Sequence, residues 1–355
     1  MDDKGRVIML VSILEQPRII KRIIQKASQY GTVDVLAYTR GLYEAGNYEK
    51  LNNYSNIKVI KVGSLVDSSY LSRPFLYLKL YFLILFKYGF TRKNIYVFSL
   101  DLRIFCSFLI NAVITYEISD IIWLYLSRSF RRVLSAIDFF LAKRSAHVVF
   151  TSEGFYKQYF SFLDNTKVAI VENKFKSYSL VFPVQSIIKD RIRIAYIGTY
   201  RYKTIIEALI NVVSETDNIV LNFYGDGIYE ALELIKSSTR SYNNVFYHGK
   251  FKNPDDLERI YAANNLNFVA YDNKLENEKV AMPNKFYESG YFNIPIVCST
   301  NTYVGERVKE LDMGWVIEPT KSGIDYFIKN LHINDIINCH QRIKNLNKEI
   351  FEFDD

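Results

Sequence analysis

The sequence predicts an α/β protein built from two doubly wound, parallel-sheet domains facing each other across a cleft. Three observations carry this. The chain of 355 residues is long for one core and sufficient for two. Short continuous apolar runs recur along its whole length, as strands buried on both faces require. Amphipathic stretches separate those runs, as crossover helices require. In the first half, 7–14 reads as a buried strand and 18–30 as a helix with Ile19, Ile20, Ile23 and Ile24 on its inner face. Further strands are expected at 33–37, 57–62, 94–99, 113–116, 147–151 and 168–171, with helices between. The second half repeats the alternation, with strands at 192–197, 220–224, 245–247, 266–270, 294–298 and 315–317. Its helices are expected at 204–214, 228–238, 254–263, 284–291 and 303–311. Periodicity fades over 174–190, where Pro183 interrupts the pattern, so the domains divide into 1–188 and 189–355.

Composition narrows the function. Hydrophobic content of 49% and charged content of 23% are those of a foldable globular chain. Cys106, Cys298 and Cys339 are odd in number and widely spaced, which supports neither a disulfide framework nor a zinc site and fits a reducing cytoplasm. No signal peptide is expected, since the run 7–14 is too short and lacks a cleavage site. The stretch 74–90 (PFLYLKLYFLILFKYGF) is the closest to a membrane span, but Lys79 and Lys87 interrupt it. The net charge of +7 is uneven. Residues 1–188 hold 25 Lys and Arg against 14 Asp and Glu, whereas 189–355 hold 20 against 24. A basic half points to an anionic partner. No zinc-finger spacing or basic-region helix supports a nucleic acid. Basic residues among apolar ones (Lys79, Lys87, Arg92 and Lys93 around 74–90; Arg128, Arg131 and Arg132 near Trp123, Tyr125 and Phe130) suit an anionic membrane surface. A core helix with solvated lysines is the alternative for the same pattern.

The segment Met282–Thr302, MPNKFYESGYFNIPIVCSTNT, is the most informative. Pro283 suits a first helical turn, and Lys285 and Glu288 then share one face near the positive end of the helix dipole. Backbone N–H groups and the lysine can hold a pyrophosphate there, and the carboxylate can hold sugar hydroxyls. The same pair also reads as an ordinary surface ion pair. Gly198-Thr199-Tyr200-Arg201-Tyr202-Lys203 follows a strand, so a glycine could let phosphate approach while Arg201 and Lys203 supply charge. Gly225-Asp226-Gly227 is half of a dinucleotide fingerprint, or simply a tight turn. Glu117 and Asp120, at the end of a buried strand, could act as base or as electrostatic support. A helix N-cap at Ser119 or Asp120 is the alternative.

The order P-N-K-x-x-E-x followed by G-x-x-x-x-P-I-V resembles the donor-site segment of GT-B glycosyltransferases, two Rossmann-like domains across a cleft, particularly bacterial enzymes of polysaccharide assembly. The matching features are Asn284, Lys285, Glu288, Gly290, Pro295 and Ile296-Val297. The resemblance implies a basic pair at Arg201 and Lys203 on the donor diphosphate, and a G-x-G at Gly225. It also implies that His248-Gly249 sits where the donor base enters, with Tyr271 as a wall. Glu15-Gln16-Pro17-Arg18 resembles an acceptor-side loop, Thr151-Ser152-Glu153-Gly154-Phe155 a recurring turn, and Glu172-Asn173 the close of the first domain. Two departures stand out. Many retaining members carry two glutamates eight positions apart, and Val280 falls at the first, with Glu276 and Glu278 close by. Related enzymes also often place a histidine where Glu117 stands.

The resemblance spans roughly 6–345. It implies a retaining glycosyltransferase that takes a nucleotide-sugar donor and a lipid-linked glycan acceptor, peripheral on the cytoplasmic face of the cell membrane. No cofactor is expected. The chain has no Asp-x-Asp, so helix dipole and basic side chains would neutralise the leaving group without metal. Two rivals keep the fold: a sugar-nucleotide epimerase, and a non-catalytic partner subunit of an assembly complex.

Overall fold

The computed structural model describes residues 5–40, 45–65, 73–175 and 190–353. The chain divides into two compact units, Met1–Val171 and Glu172–Asp355. The division expected at 188/189 falls outside the described residues.

The first unit is a seven-stranded sheet in the order β3-β2-β1-β4-β5-β6-β7, with every pair parallel. Its strands are β1 (Arg6–Val11), β2 (Thr32–Thr39), β3 (Ile57–Ser64), β4 (Lys93–Phe98), β5 (Ala112–Ile118), β6 (His147–Phe150) and β7 (Val168–Ile170). Its helices are α1 (Pro17–Gln29), α2 (Arg73–Tyr88), α3 (Leu100–Cys106), α4 (Arg128–Arg144) and the single turn α5 (Glu153–Phe155). Helix α1 forms because Pro17 pre-sets its first turn and four isoleucines recur on one face. Ile19, Ile20, Ile23 and Ile24 are all buried against β1 and β2. Ser152 caps α5, its hydroxyl accepting from the Gly154 N–H at 3.2 Å.

The second unit is a six-stranded parallel sheet in the order β10-β9-β8-β11-β12-β13. The strands are β8 (Ile192–Tyr200), β9 (Ile219–Gly227), β10 (Val245–Tyr247), β11 (Leu266–Phe268), β12 (Ile296–Ser299) and β13 (Gly314–Ile317). Helices α6 (Lys203–Ser214), α7 (Tyr229–Ser241), α8 (Leu257–Ala262), α9 (Glu276–Val280), α10 (Asn284–Tyr291) and α11 (Tyr303–Glu310) alternate with them. Helices α12 (Lys321–Lys329) and α13 (Ile333–Lys344) follow β13. One apolar cluster joins the sheet to its helices, from Ile192 to Phe351. In both sheets the strand order reverses beside the first strand, so each has a switch point at its strands' carboxyl ends, where ligands of such sheets bind.

Two expectations are corrected. Residues 198–200 and 225–227, read as turns, continue β8 and β9, which pair from Ile192↔Ile219 through Tyr200↔Gly227. The reason is a close backbone approach: a Cβ on Gly225 would lie 1.9 Å from the Gly198 carbonyl oxygen, and one on Gly227 2.3 Å from that of Tyr200. Glycine is needed there for strand packing. Helix α8 also begins at Leu257, three residues later than expected.

Among the described residues no helix is long and apolar enough to cross a membrane. The run 74–90 folds largely as α2, which buries Leu80 and Ile84 but leaves Phe75 77% and Phe86 83% exposed.

Candidate functional site

In the second unit, the carboxyl ends of β8, β9 and β10 carry three glycines in left-handed backbone: Gly198 (φ 121°), Gly225 (φ 136°) and Gly249 (φ 80°). They are neighbours. Gly198 registers with Gly225, and the Gly225 N–H donates to the Gly249 carbonyl at 2.8 Å. Lys285, in the first turn of α10, reaches back over this rim: a Cβ on Gly198 would sit 3.7 Å from its Cε. Helix α10 starts there because Pro283 holds an extended N-cap at φ −74°, ψ 146°. The Lys285 ammonium arm thus lies beside Gly198, and it belongs to the first turn of a helix, whose N–H groups and dipole favour an oxyanion.

Glu288, one turn on, is buried under the lysine. Lys285 Nζ donates to its Oε2 at 2.7 Å, and the Tyr261 hydroxyl donates to the same oxygen at 3.0 Å. The Asn253 amide reaches Oε1 at 3.5 Å. Behind it, Asn267 Nδ2 donates to Tyr261 at 3.1 Å and to Ser289 at 2.8 Å. Such a network fixes the carboxylate's orientation. Lys285 also stands 5.6 Å from the centre of the Phe251 ring.

Arg201 and Lys203 are exposed at the start of α6 and make no ion pair with another described residue. Beside them, Tyr202 hydrogen-bonds Glu278 and packs its ring 5.5 Å from Tyr271. Burial, and then the charge of Glu278, push the Tyr202, Tyr271 and Tyr196 hydroxyls above the ordinary tyrosine range; the first two also feel Arg201 lowering them. For Tyr196 the Arg201 effect precedes that of Glu278. Glu278, one of the two carboxylates near Val280, is buried against this tyrosine group. Asn284 is exposed at the first helical position of α10.

His248 is an oriented ring. It stacks on Tyr224 at 4.4 Å and 8°. Asn222 donates to Asn264 through Nδ2 at 2.9 Å, so its Oδ1 is left to accept from His248 Nε2, also at 2.9 Å. Partial desolvation, and then Arg259, lower the histidine's pKa below its usual range. A separate crevice of about 630 Å³, lined by Trp315, Ile317, Tyr326 and Phe327 among others, shares none of these residues.

In the first unit, Glu117 is the acid of an enclosed ion pair. It lies inside β5, is 0% exposed and has both oxygens engaged. Arg22 Nε donates to it at 2.8 Å, the Tyr96 hydroxyl at 2.5 Å and Arg18 Nη1 at 3.4 Å. Arg22 further donates to the Val171 carbonyl at 3.0 Å. An enclosed carboxylate with these partners anchors α1 to the sheet. Asp120 is exposed beyond the strand, with the Tyr125 hydroxyl 3.4 Å away. Neither Ser119 nor Asp120 caps a helix: the next turn, Ile122–Tyr125, follows Ile121 without a side-chain cap.

Sequence reasoning missed a further cluster. Ser99, directly after β4, has φ 77°, which is strained for a residue with a side chain. Its hydroxyl donates to Asp101 Oδ1 and the Tyr77 hydroxyl to Oδ2, each at 2.5 Å. Since β4 neighbours β1, this cluster stands at the first unit's switch point. The string F-S-L-D offers no signal for it, because the backbone strain is invisible in one dimension.

No family model matches the chain, and no curated protein sequence does. Solved structures do. Anabaena HepE in complex with UDP and glucose shares 13% identity at a TM-score of 0.68, over 98% of this chain and 95% of that one. Sucrose-phosphate synthase from Thermosynechococcus elongatus shares 13% at 0.65, over 98% and 96%. WaaG, a glycosyltransferase of lipopolysaccharide biosynthesis, shares 12% at 0.65, over 98% and 97%. The fold of this chain is that of the GT-B glycosyltransferases.

Proposed function

We propose that this protein is a GT-B glycosyltransferase that moves a sugar from a nucleoside-diphosphate sugar to a lipid-linked glycan, in assembly of a bacterial surface polysaccharide such as a capsule. One observation carries the reading: Lys285, in the first turn of α10, reaches over Gly198 and is held by the buried, hydrogen-bonded Glu288. In this reading Lys285, Arg201 and Lys203 take the diphosphate, whose charge grows as the glycosidic bond breaks. Asn284 and Glu288 take donor hydroxyls, and Gly249 leaves room beside His248 and Tyr271 for the base. Glu278 supplies the sugar-side carboxylate in place of Val280, and transfer proceeds with retention and without metal. The acceptor belongs to the first unit, near Arg18, Ser99 and Asp120.

A membrane surface is part of the same proposal. Helix α4 exposes Phe130 (69%), Val133 and Phe140 (59%), with Ile137 beside them, along one face. Arg128, Arg132, Lys143 and Arg144 of the same helix are exposed, whereas its one acid, Asp138, is buried. Exposed apolar area flanked by cations favours an anionic bilayer. The chain would then act from the cytoplasmic side as a peripheral protein.

The test is a thermal shift with a metal-free panel of nucleoside-diphosphate sugars, followed by product analysis with and without acceptor. A rise for one donor, with transfer only when acceptor is present, is the expected result, since ligand bound to the native state raises the melting temperature. Conversion without acceptor would indicate an epimerase. No rise across the panel, with lipid and acceptor present, would overturn the donor-site reading in favour of a partner subunit.

A further inference from the structure

The amino end of α10 carries the donor-site residues, and its carbonyl end is gripped by the last segment of the chain. Lys348 Nζ donates to the Gly290 carbonyl at 2.9 Å, to the Asn293 side-chain oxygen, and at longer range to the Ile343 carbonyl at 3.5 Å. Asn293 sits in left-handed backbone (φ 60°) just past the helix, and its carbonyl accepts from His340 Nδ1 at 2.7 Å. A helix leaves its last carbonyls without intrahelical partners and with partial negative charge, so a cation at that end is both donor and counter-charge.

Phe351 completes the grip. Its ring fills the space over Gly290, where a Cβ would come within 2.2 Å of it. The Phe351 carbonyl accepts from the Phe175 N–H at 2.7 Å, and the Phe353 N–H donates to the Phe175 carbonyl at 3.1 Å. The Phe175 ring in turn packs 4.5 Å from Tyr291 and 5.4 Å from Phe292. The glycine in the E-x-G pattern is therefore a seat for an aromatic ring at the chain's far end.

We propose that the segment 348–353 is a positioning clamp for the nucleoside-diphosphate site, with Lys348 acting through Gly290 and Asn293 to fix α10 and hence Lys285 and Glu288. This rests on the donor-site reading above. Helix α10 has only eight residues, so it spans about 12 Å and moves as one rod. A shift at its carbonyl end is carried directly to Lys285. Lys348 is a positioning residue, since it touches neither nucleotide nor sugar in this arrangement.

The experiment compares the intact wild-type chain with Lys348→Met, Lys348→Arg and Phe351→Leu, reading UDP affinity by calorimetry and amide exchange across 286–292. Lys348→Met is expected to weaken UDP binding about tenfold, a shift of 1.4 kcal/mol. It should also speed exchange in α10 while leaving exchange in the β8–β9 pair unchanged. Lys348→Arg should restore both, and Phe351→Leu should reproduce the faster α10 exchange. Unchanged α10 exchange in both Lys348→Met and Phe351→Leu would overturn the clamp. So would equal loss of UDP affinity in the methionine and arginine variants. If wild-type protein binds no UDP, the donor reading fails for that nucleotide while the exchange data still decide the clamp.

Discussion

Lys285 is paired with Glu288, and in the proposed function it would also meet the donor's diphosphate. At rest the pair is almost fully enclosed, with side-chain exposures of 12% and 4%. Removing the lysine alone strands a buried carboxylate, which costs about 1–3 kcal/mol. Removing both groups leaves no stranded charge. Lys285→Met should therefore destabilise the fold measurably by denaturant titration, and the double variant Lys285→Met/Glu288→Met should regain part of that loss. If Lys285 acts as proposed, sugar transfer should stay about 10²–10³-fold down in both, because each lacks the charge assigned to the leaving group. Full transfer activity in the single variant would remove Lys285 from the site.

Asp138 gives a second residue-scale prediction. Burial raises its pKa to about 6, against hydrogen bonds from Trp123 at 2.9 Å and Tyr116 at 3.0 Å that pull it down. A carboxyl whose folded pKa exceeds its unfolded one binds protons more tightly when folded. Its contribution to stability therefore grows as pH falls through about 6 and saturates below the unfolded value, reaching about 3 kcal/mol. Asp138→Asn should remove that rise: the difference in unfolding free energy between variant and wild type should change between pH 7 and pH 4. A difference flat with pH would show that Asp138 titrates normally.

At the scale of elements, α4 makes a prediction of its own. Replacing Phe130 and Phe140 with serine removes two largely exposed rings. Binding to vesicles rich in phosphatidylglycerol should fall at least tenfold in a flotation assay, given about 1.5–3 kcal/mol for burying one such side chain. Binding of the wild-type protein should also weaken with salt, as the arginine and lysine contribution is screened. Equal binding by both proteins would move the docking surface elsewhere.

The elements also show what a sequence can disclose. Strands such as β1 and β12 are legible because parallel sheets bury both faces, which leaves uninterrupted apolar runs. Helix α10 is legible from Pro283 and the spacing of Lys285 and Glu288. The ion pair of Glu117 is not legible, because its partner Arg22 lies 95 positions away and nothing near it in sequence announces the contact. The glycines of β8 and β9 mislead for a related reason: phosphate turns and close strand contacts ask for the same residue. Gly290 falls in a recognisable pattern, yet its seat for Phe351 appears only when the chain's end is in place.

At the scale of the whole molecule, the three thiols are internal. Cys106, Cys298 and Cys339 are buried, and burial pushes Cys106 and Cys339 up to about 12 and Cys298 higher still. Since the thiolate is the reactive form, the native protein should be inert to a thiol reagent at pH 8, and all three groups should become reactive in denaturant. Rapid modification of one thiol in native buffer would reveal local opening around it.

The two tryptophans give the molecule a built-in optical distinction. Trp123 is enclosed in the first unit, edge-on to Phe139 and Tyr159, while Trp315 lies in β13 of the second unit, 5.8 Å from Phe327. Each unit thus owns one indole emitter among 28 tyrosines that can feed it excitation. Replacing either tryptophan with phenylalanine leaves a chain whose fluorescence reports a single unit. Coincident denaturation midpoints in the two single-tryptophan chains would mean that the halves melt as one, and separated midpoints that each holds its own structure.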